Sequence, residues 1–161
     1  NGIRQFCLSK GGKVTYAPIY YQDLRMDENF VMEKLQESEN FENKLFAFPA
    51  QSNVSGVKHD LGWIKKAQDL GWDVLLDAAA FVPTNQLDLK EVKPDFVCVS
   101  FYKIFGYPTG IGCLLVNKEK FKKLQKPWFA GGTVSLVSVN AIHHFLINMR
   151  SWKFVHGAIG L

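Results

Sequence analysis

The chain has 161 residues, 47% of them hydrophobic and 21% charged, the proportions of one ordinary globular domain with room for a substantial core. Its net charge of +4 is small and dispersed, which argues against a nucleic-acid binder, and no apolar run approaches the roughly 18 residues of a membrane span. Cys7, Cys98 and Cys113 are widely spaced with no CxxC pair, which argues against a zinc site or a disulfide framework and fits a reducing, cytoplasmic compartment.

The predicted elements alternate. KVTYAPI (13–19) alternates and holds β-formers, so it predicts a strand. MDENFVMEKLQES (26–38) predicts a helix with Asp27 as N-cap and Phe30, Val31 and Leu35 on one face. KLFAFPAQS (44–52) predicts a strand that runs into a loop at Pro49. HDLGWIKKAQDLG (59–71) predicts a helix opening at Asp60 and stopped by Gly71. WDVLLDAAA (72–80) and DFVCVSF (95–101) predict strands that are apolar on both faces, and GIGCLLVN (110–117) predicts a fifth strand. KEKFKKLQK (118–126) predicts a helix with a solvated lysine face and an apolar stripe of Phe121 and Leu124.

Apolar strands separated by helices indicate an α/β fold, a mostly parallel sheet with helices on both faces. The link from Lys103 to Gly110 is too short for a helical crossover, so the fifth strand is expected antiparallel to the fourth or well apart from it. One domain is expected over residues 1–135, followed by a tail, 136–161, of unassigned fold.

In open α/β sheets, ligands bind beyond the carboxyl ends of the strands. Three such ends are polar here: Gln51-Ser52-Asn53, Asp77, and Ser100 with Lys103. Each has an ordinary reading too: Asp77 as a helix N-cap, Ser100 as a turn cap, Lys103 as a surface lysine. A carboxylate at the mouth of a sheet calls for a cation or a donor, which Lys103 could supply unless both groups serve a ligand. Pyridoxal phosphate uses both groups, a lysine for its Schiff base and an acid against its pyridine nitrogen. The acid precedes the lysine by 26 residues, a strand–helix–strand spacing that would bring two neighbouring strand ends together. His143 and His144 are adjacent in sequence and are not read as a metal pair, and no metal site is expected.

SNVSG (52–56), LLDAAA (75–80), SFYKIFGYPTGIGCLLV (100–116) and GGT (131–133) occur in that order. Together they resemble the cysteine desulfurase group of pyridoxal-phosphate enzymes, with the large-domain architecture of fold-type-I transferases. FPAQSNVSGVKHDLGWI, SFYKIFGYPTGIG and FAGGTV are more similar to the molybdenum cofactor sulfurases, over roughly residues 1–135. Bacterial-type desulfurases more often carry histidine before the lysine, where this chain has Tyr102, and tend to carry glutamine where it has Ala80. Both departures agree with the sulfurase resemblance.

The resemblance implies a role for each matching position. Lys103 would be the Schiff-base lysine and proton carrier, Asp77 the acid at the pyridine nitrogen, and Asn53 the neighbour of the cofactor's phenolic oxygen. Ser100 and Thr133 would contact the phosphate, Thr133 across a homodimer interface, and Tyr102 is read as a further cofactor contact. The implied reaction takes sulfur from L-cysteine, leaving alanine, and passes it as a persulfide to molybdenum cofactor. The recipients implied are the molybdenum hydroxylases xanthine dehydrogenase and aldehyde oxidase. Another cysteine desulfurase, a selenocysteine lyase, or a non-catalytic fragment that keeps the fold are the alternatives.

The chain begins NGIRQF, without methionine, and is expected to be an incomplete large domain, a segment of a longer protein. The persulfide cysteine and the molybdenum-cofactor domain are expected beyond residue 161, and the phosphate loop and ring-stacking histidine before Asn1. By itself the chain is expected to bind cofactor weakly and to turn over little.

Overall fold

The structure, a computed structural model, describes residues 2–37, 41–106 and 109–124, and the backbone of two further strands at 134–137 and 144–146. Its centre is a four-stranded sheet in the order β1-β2-β3-β4, formed by Leu45–Pro49, Asp73–Asp77, Phe96–Ser100 and Gly112–Val116. The first three strands are parallel and the fourth runs antiparallel to β3, as the short link after Lys103 requires. Gly112 faces Ser100 in that pairing, and a Cβ there would come within 2.6 Å of the Val99 carbonyl oxygen, so the backbones approach closely only because residue 112 is glycine. β5 (Val134–Val137) and β6 (His144–Leu146) pair antiparallel as a separate two-stranded sheet.

Strand alternation sends Phe46, Phe48, Val74, Leu76 and Val97 to one face. There they meet α2 (Glu28–Gln36) through Val31 and Leu35, and α3 (Trp63–Asp69) through Trp63, Ile64 and Ala67. Trp63 tilts against both Phe46 and Phe48, and its indole N–H donates to Glu28 Oε1 at 3.1 Å, tying α3 to α2. The Trp72 indole N–H donates to the Leu35 carbonyl at 2.9 Å. The other face of β1 carries Leu45 and Ala47, both exposed.

Asp27 caps α2 as expected, accepting from Phe30 N at 3.0 Å. The helix read at 59–71 begins later, at Trp63, because Asp60 uses its carboxylate on Gly62 N at 2.8 Å in a preceding turn. The strand expected at 13–19 does not form. Among the described residues the segment makes an isolated β-bridge, Ile19 to Met26, since alternation alone makes no strand without a neighbouring backbone. A helix that periodicity did not suggest, α1 (Gly2–Ser9), precedes it and has no buried residue.

The lysine-rich run is a 3-10 helix, Lys118–Lys123, and its face is only partly solvated. Lys120 and Lys123 each place Nζ 2.6 Å from an Asp73 oxygen, and Lys120 lies 3.4 Å from Asp95 Oδ1. Asp95 is 2% exposed and accepts from Val74 N and Gln68 Nε2 as well. This ionic cluster clamps the amino ends of β2 and β3, opposite the ends that carry Asp77 and Ser100.

Candidate active site

β1, β2 and β3 deliver their carboxyl ends to one edge of the sheet. β1 leads into loop 51–58, whose base is closed by the Gln51–Lys58 bridge and by His59 N donating to the Ala50 carbonyl at 3.0 Å. Inside it, Ser52 Oγ accepts from Val54 N and Ser55 N, and Ser52 N donates to the Val57 carbonyl at 2.8 Å. These bonds hold Asn53 exposed at the tip of a tight turn. Ala50 N also donates to the Asp77 carbonyl at 2.8 Å, so the loop starts in register with the end of β2.

Asp77 ends β2 and is exposed. Its Oδ1 accepts from Ala79 N at 3.0 Å, an Asx-type turn that aims the carboxylate along the loop. No ion pair joins it to Lys103, although the two groups arrive at the same edge. Across the ladder Asp77 faces Cys98, whose thiol burial pushes up, with the Asp77 carboxylate and Cys113 adding to the effect. Burial pushes the Cys113 thiol up too.

β3 ends at Ser100, which is the N-cap of a one-turn helix, α4 (Phe101–Phe105). No side-chain capping bond is made by Ser100. Lys103 therefore sits on a helical turn rather than directly on the strand. The turn is bounded by Phe101 N donating to the Ile111 carbonyl and by Gly106, whose φ of +89° suits glycine. Lys103 is half-buried, and its Nζ donates to Asn53 Oδ1 at 2.6 Å, with the Tyr102 ring 6.0 Å away. Amine and amide thus converge from two strands, with a carboxylate on the strand between.

A class-V aminotransferase model matches residues 3–159. The chain belongs to the class-V aminotransferase family. It is 45% identical over 136 residues to molybdenum cofactor sulfurase 1 of Aedes aegypti, covering 80% of this chain and 18% of that protein. It is 37% identical over 174 residues to the molybdenum cofactor sulfurase of Bombyx mori, covering 98% of this chain and 21% of the relative. The chain thus spans about a fifth of the length of these curated relatives. Among solved structures, the apo cysteine desulfurase of Thermococcus onnurineus aligns with a TM-score of 0.75 at 26% identity, covering 97% of this chain and 37% of that one. The cysteine desulfurase CsdA of Escherichia coli aligns at 0.71 and 27% identity, covering 89% of this chain and 34% of that one.

In this class-V aminotransferase chain, the described residues bring together Lys103 and Asn53, and place Asp77, Ser100 and Tyr102 at the same sheet edge. Thr133 lies outside the described residues. Among the described residues no cluster of three or more His, Cys, Asp or Glu could hold a metal, and no helix is long and apolar enough to cross a membrane. One contact at this edge escaped the sequence reading. Asn85, in the loop after β2, donates through Nδ2 to Gln51 Oε1 at 3.1 Å. The polar turn Pro83-Thr84-Asn85, following a strand that ends in a candidate acid, was the available signal.

Proposed function

We propose that this chain is the cofactor-binding segment of a molybdenum cofactor sulfurase, a pyridoxal-phosphate-dependent enzyme that takes sulfur from L-cysteine. The observation that carries the reading is the approach of the Lys103 amine to the Asn53 amide at 2.6 Å, at the sheet edge where Asp77 also ends. An amine, an amide and a carboxylate on three adjacent parallel strand ends are the donor set pyridoxal phosphate takes, so the residues fit the group. Pyridoxal phosphate is the cofactor of the family, and when bound it supplies an electron sink for a substrate carbanion.

In this reading, Lys103 would hold the cofactor and carry the α-proton of L-cysteine. Asp77 would face the ring nitrogen and favour its protonated form. Asn53 would donate toward the phenolic oxygen. Ser100 would contact the phosphate, joined by Thr133 from the second subunit of a homodimer, and Tyr102 would border the ring. The net sulfur transfer converts L-cysteine and an enzyme thiol to alanine and an enzyme persulfide. The thiol sulfur bonds to the substrate sulfur as its carbon–sulfur bond breaks. Neither Cys98 nor Cys113 suits that role, because their burial disfavours the thiolate. By the family resemblance, the thiol would lie in another part of the full-length protein, which would pass its sulfur to molybdenum cofactor for xanthine dehydrogenase and aldehyde oxidase in the cytoplasm.

Identities of 37% and 45% to sulfurases, against 26% and 27% to the cysteine desulfurases of known structure, support the sulfurase over an iron–sulfur desulfurase. The test is alanine formation from L-cysteine, with sulfuration of molybdenum cofactor, by the full-length protein. Alanine formation without any transfer to molybdenum cofactor would overturn the sulfurase assignment, and absence of both would overturn the enzymatic one.

A further inference from the structure

Loop 51–58 is closed by hydrogen bonds of its own but lightly tethered. Among the described residues, two side-chain hydrogen bonds join it to the rest of the chain: Lys103 to Asn53, and Asn85 to Gln51. The first engages the amine that the proposed reaction uses. A Lys103 amine committed to cofactor or substrate cannot keep holding Asn53 in the same way. The Asn85–Gln51 bond is then the remaining side-chain tether.

Asn85 is well placed to act as an anchor. Its Nδ2 also faces the Phe81 carbonyl at 2.9 Å and Thr84 Oγ1 at 3.0 Å, and its backbone N–H donates to the same Phe81 carbonyl at 2.9 Å. Phe81 is 8% exposed and belongs to the core, and its own N–H donates to the Ala78 carbonyl at 3.0 Å. The turn that presents Asn85 is therefore fixed to the interior just beyond Asp77. Of the acceptors Nδ2 faces, Gln51 is the one outside that turn. Gln51 follows Ala50, which is fully buried, and precedes Asn53 by two residues. The bond thus ties the loop carrying the amide to the loop following the carboxylate, without touching either group.

We propose that Asn85 is a positioning residue that acts through Gln51 to hold Asn53 at its working position. The proposal rests on the reading of Asn53 as a cofactor contact, and the experiment separates the two.

In the full-length protein, the dissociation constant of pyridoxal phosphate is measured by absorbance titration of the apo form, alongside kcat and KM for L-cysteine. The variants are Asn85→Ala, Gln51→Ala, Asn53→Ala and the double Asn53→Ala/Asn85→Ala. Asn85→Ala and Gln51→Ala are each expected to raise the cofactor dissociation constant about three- to tenfold, the worth of one hydrogen bond. Adding Asn85→Ala to Asn53→Ala is expected to change it no further, because a positioning residue has nothing left to position. An undiminished effect of Asn85→Ala in the Asn53→Ala background would overturn the proposal in favour of a purely structural Asn85. Weaker binding in Asn53→Ala with unchanged binding in Asn85→Ala and Gln51→Ala would also overturn it, leaving the Asn53 reading intact. Unchanged binding in Asn53→Ala would overturn both. Gln51→Ala leaves the Phe81 and Thr84 contacts in place, so it decides the matter if Asn85→Ala fails to fold.

Discussion

Lys103 and Asn53 stand fifty residues apart in the chain and meet at 2.6 Å. The contact joins the loop after β1 to the helical turn after β3, bridging the strand that ends in Asp77. An exposed amide could satisfy itself with water, so its bond to a half-buried amine supports the proposed reading of the two as one site. Asn53→Ala removes the amide from that site. The expected result is about tenfold weaker pyridoxal phosphate binding in the full-length protein, measured by absorbance titration, with little change in thermal stability because the tip is exposed.

Lys103→Ala goes further, since it removes the amine that, among the described residues, meets Asn53 at this edge and would bond to the cofactor aldehyde. The visible band of lysine-bound cofactor should vanish, and alanine formation from L-cysteine should fall by about a thousandfold or more. A full-strength band in this variant would show that another amine holds the cofactor.

Asp77→Asn tests the carboxylate by charge alone. Asp77 is exposed, and among the described residues its one side-chain hydrogen bond is accepted from Ala79 N at 3.0 Å, so the substitution should cost at most about 1 kcal/mol of stability. Turnover should fall about a hundredfold, the usual scale for removing a preorganised charge partner. Equal losses of stability and turnover would mark Asp77 as a turn residue only.

The sheet was legible because its two central strands are apolar on both faces and bounded by turns, and of the two placements the short link after Lys103 left open for β4, the structure takes the antiparallel one. The candidate residues could be named because Asn53, Asp77, Ser100 and Lys103 are polar residues at the ends of such strands, ends that the sheet order brings to one edge. Other features were not legible. The alternation of residues 13–19 looked like a strand, but strand formation is decided by a partner the local sequence does not name. The turn of helix under Lys103 is one turn long, below the length at which periodicity speaks. The lysines of 118–123 looked solvated because their acidic partners lie 47 and 50 residues upstream at Asp73, a long-range pairing that spacing within the run cannot show.

That pairing makes a stability prediction. Burial alone would push the Asp73 carboxyl up, but hydrogen bonds from Lys120 and Lys123 hold it below its ordinary value of 3.8. The bond to Asp73 raises the Lys120 ammonium above its ordinary 10.5 despite partial desolvation, with Asp95 adding to the rise. A carboxyl depressed by folding stabilises above its unfolded value and loses that contribution as pH falls through its folded value. A raised ammonium stabilises below its unfolded value and loses its contribution as pH rises through its folded one. The clamp should therefore be intact between those limits and fail at both extremes. Lys120→Met leaves Asp95, 2% exposed, without its cation, and should cost about 3 kcal/mol near neutral pH in urea denaturation.

His59 should set a second, milder pH dependence. Its ring stacks on Trp63 with centroids 5.9 Å apart, at the junction between loop 51–58 and α3. Burial lowers its pKa from the ordinary 6.5, and the nearby Arg25 guanidinium lowers it further. Folding thus favours the neutral ring, and the unfolded chain takes up the proton more readily. Stability from this group is complete above 6.5 and declines as pH falls from there toward the folded value. The carboxylates contribute the same acid slope with or without the imidazole, so the informative quantity is the difference between proteins. Urea denaturation across mildly acid pH should show a shallower loss of stability in His59→Gln than in the unaltered chain. The two profiles should run parallel once the pH is well above 6.5. Parallel profiles across the whole range would show that His59 keeps an ordinary titration in the folded state.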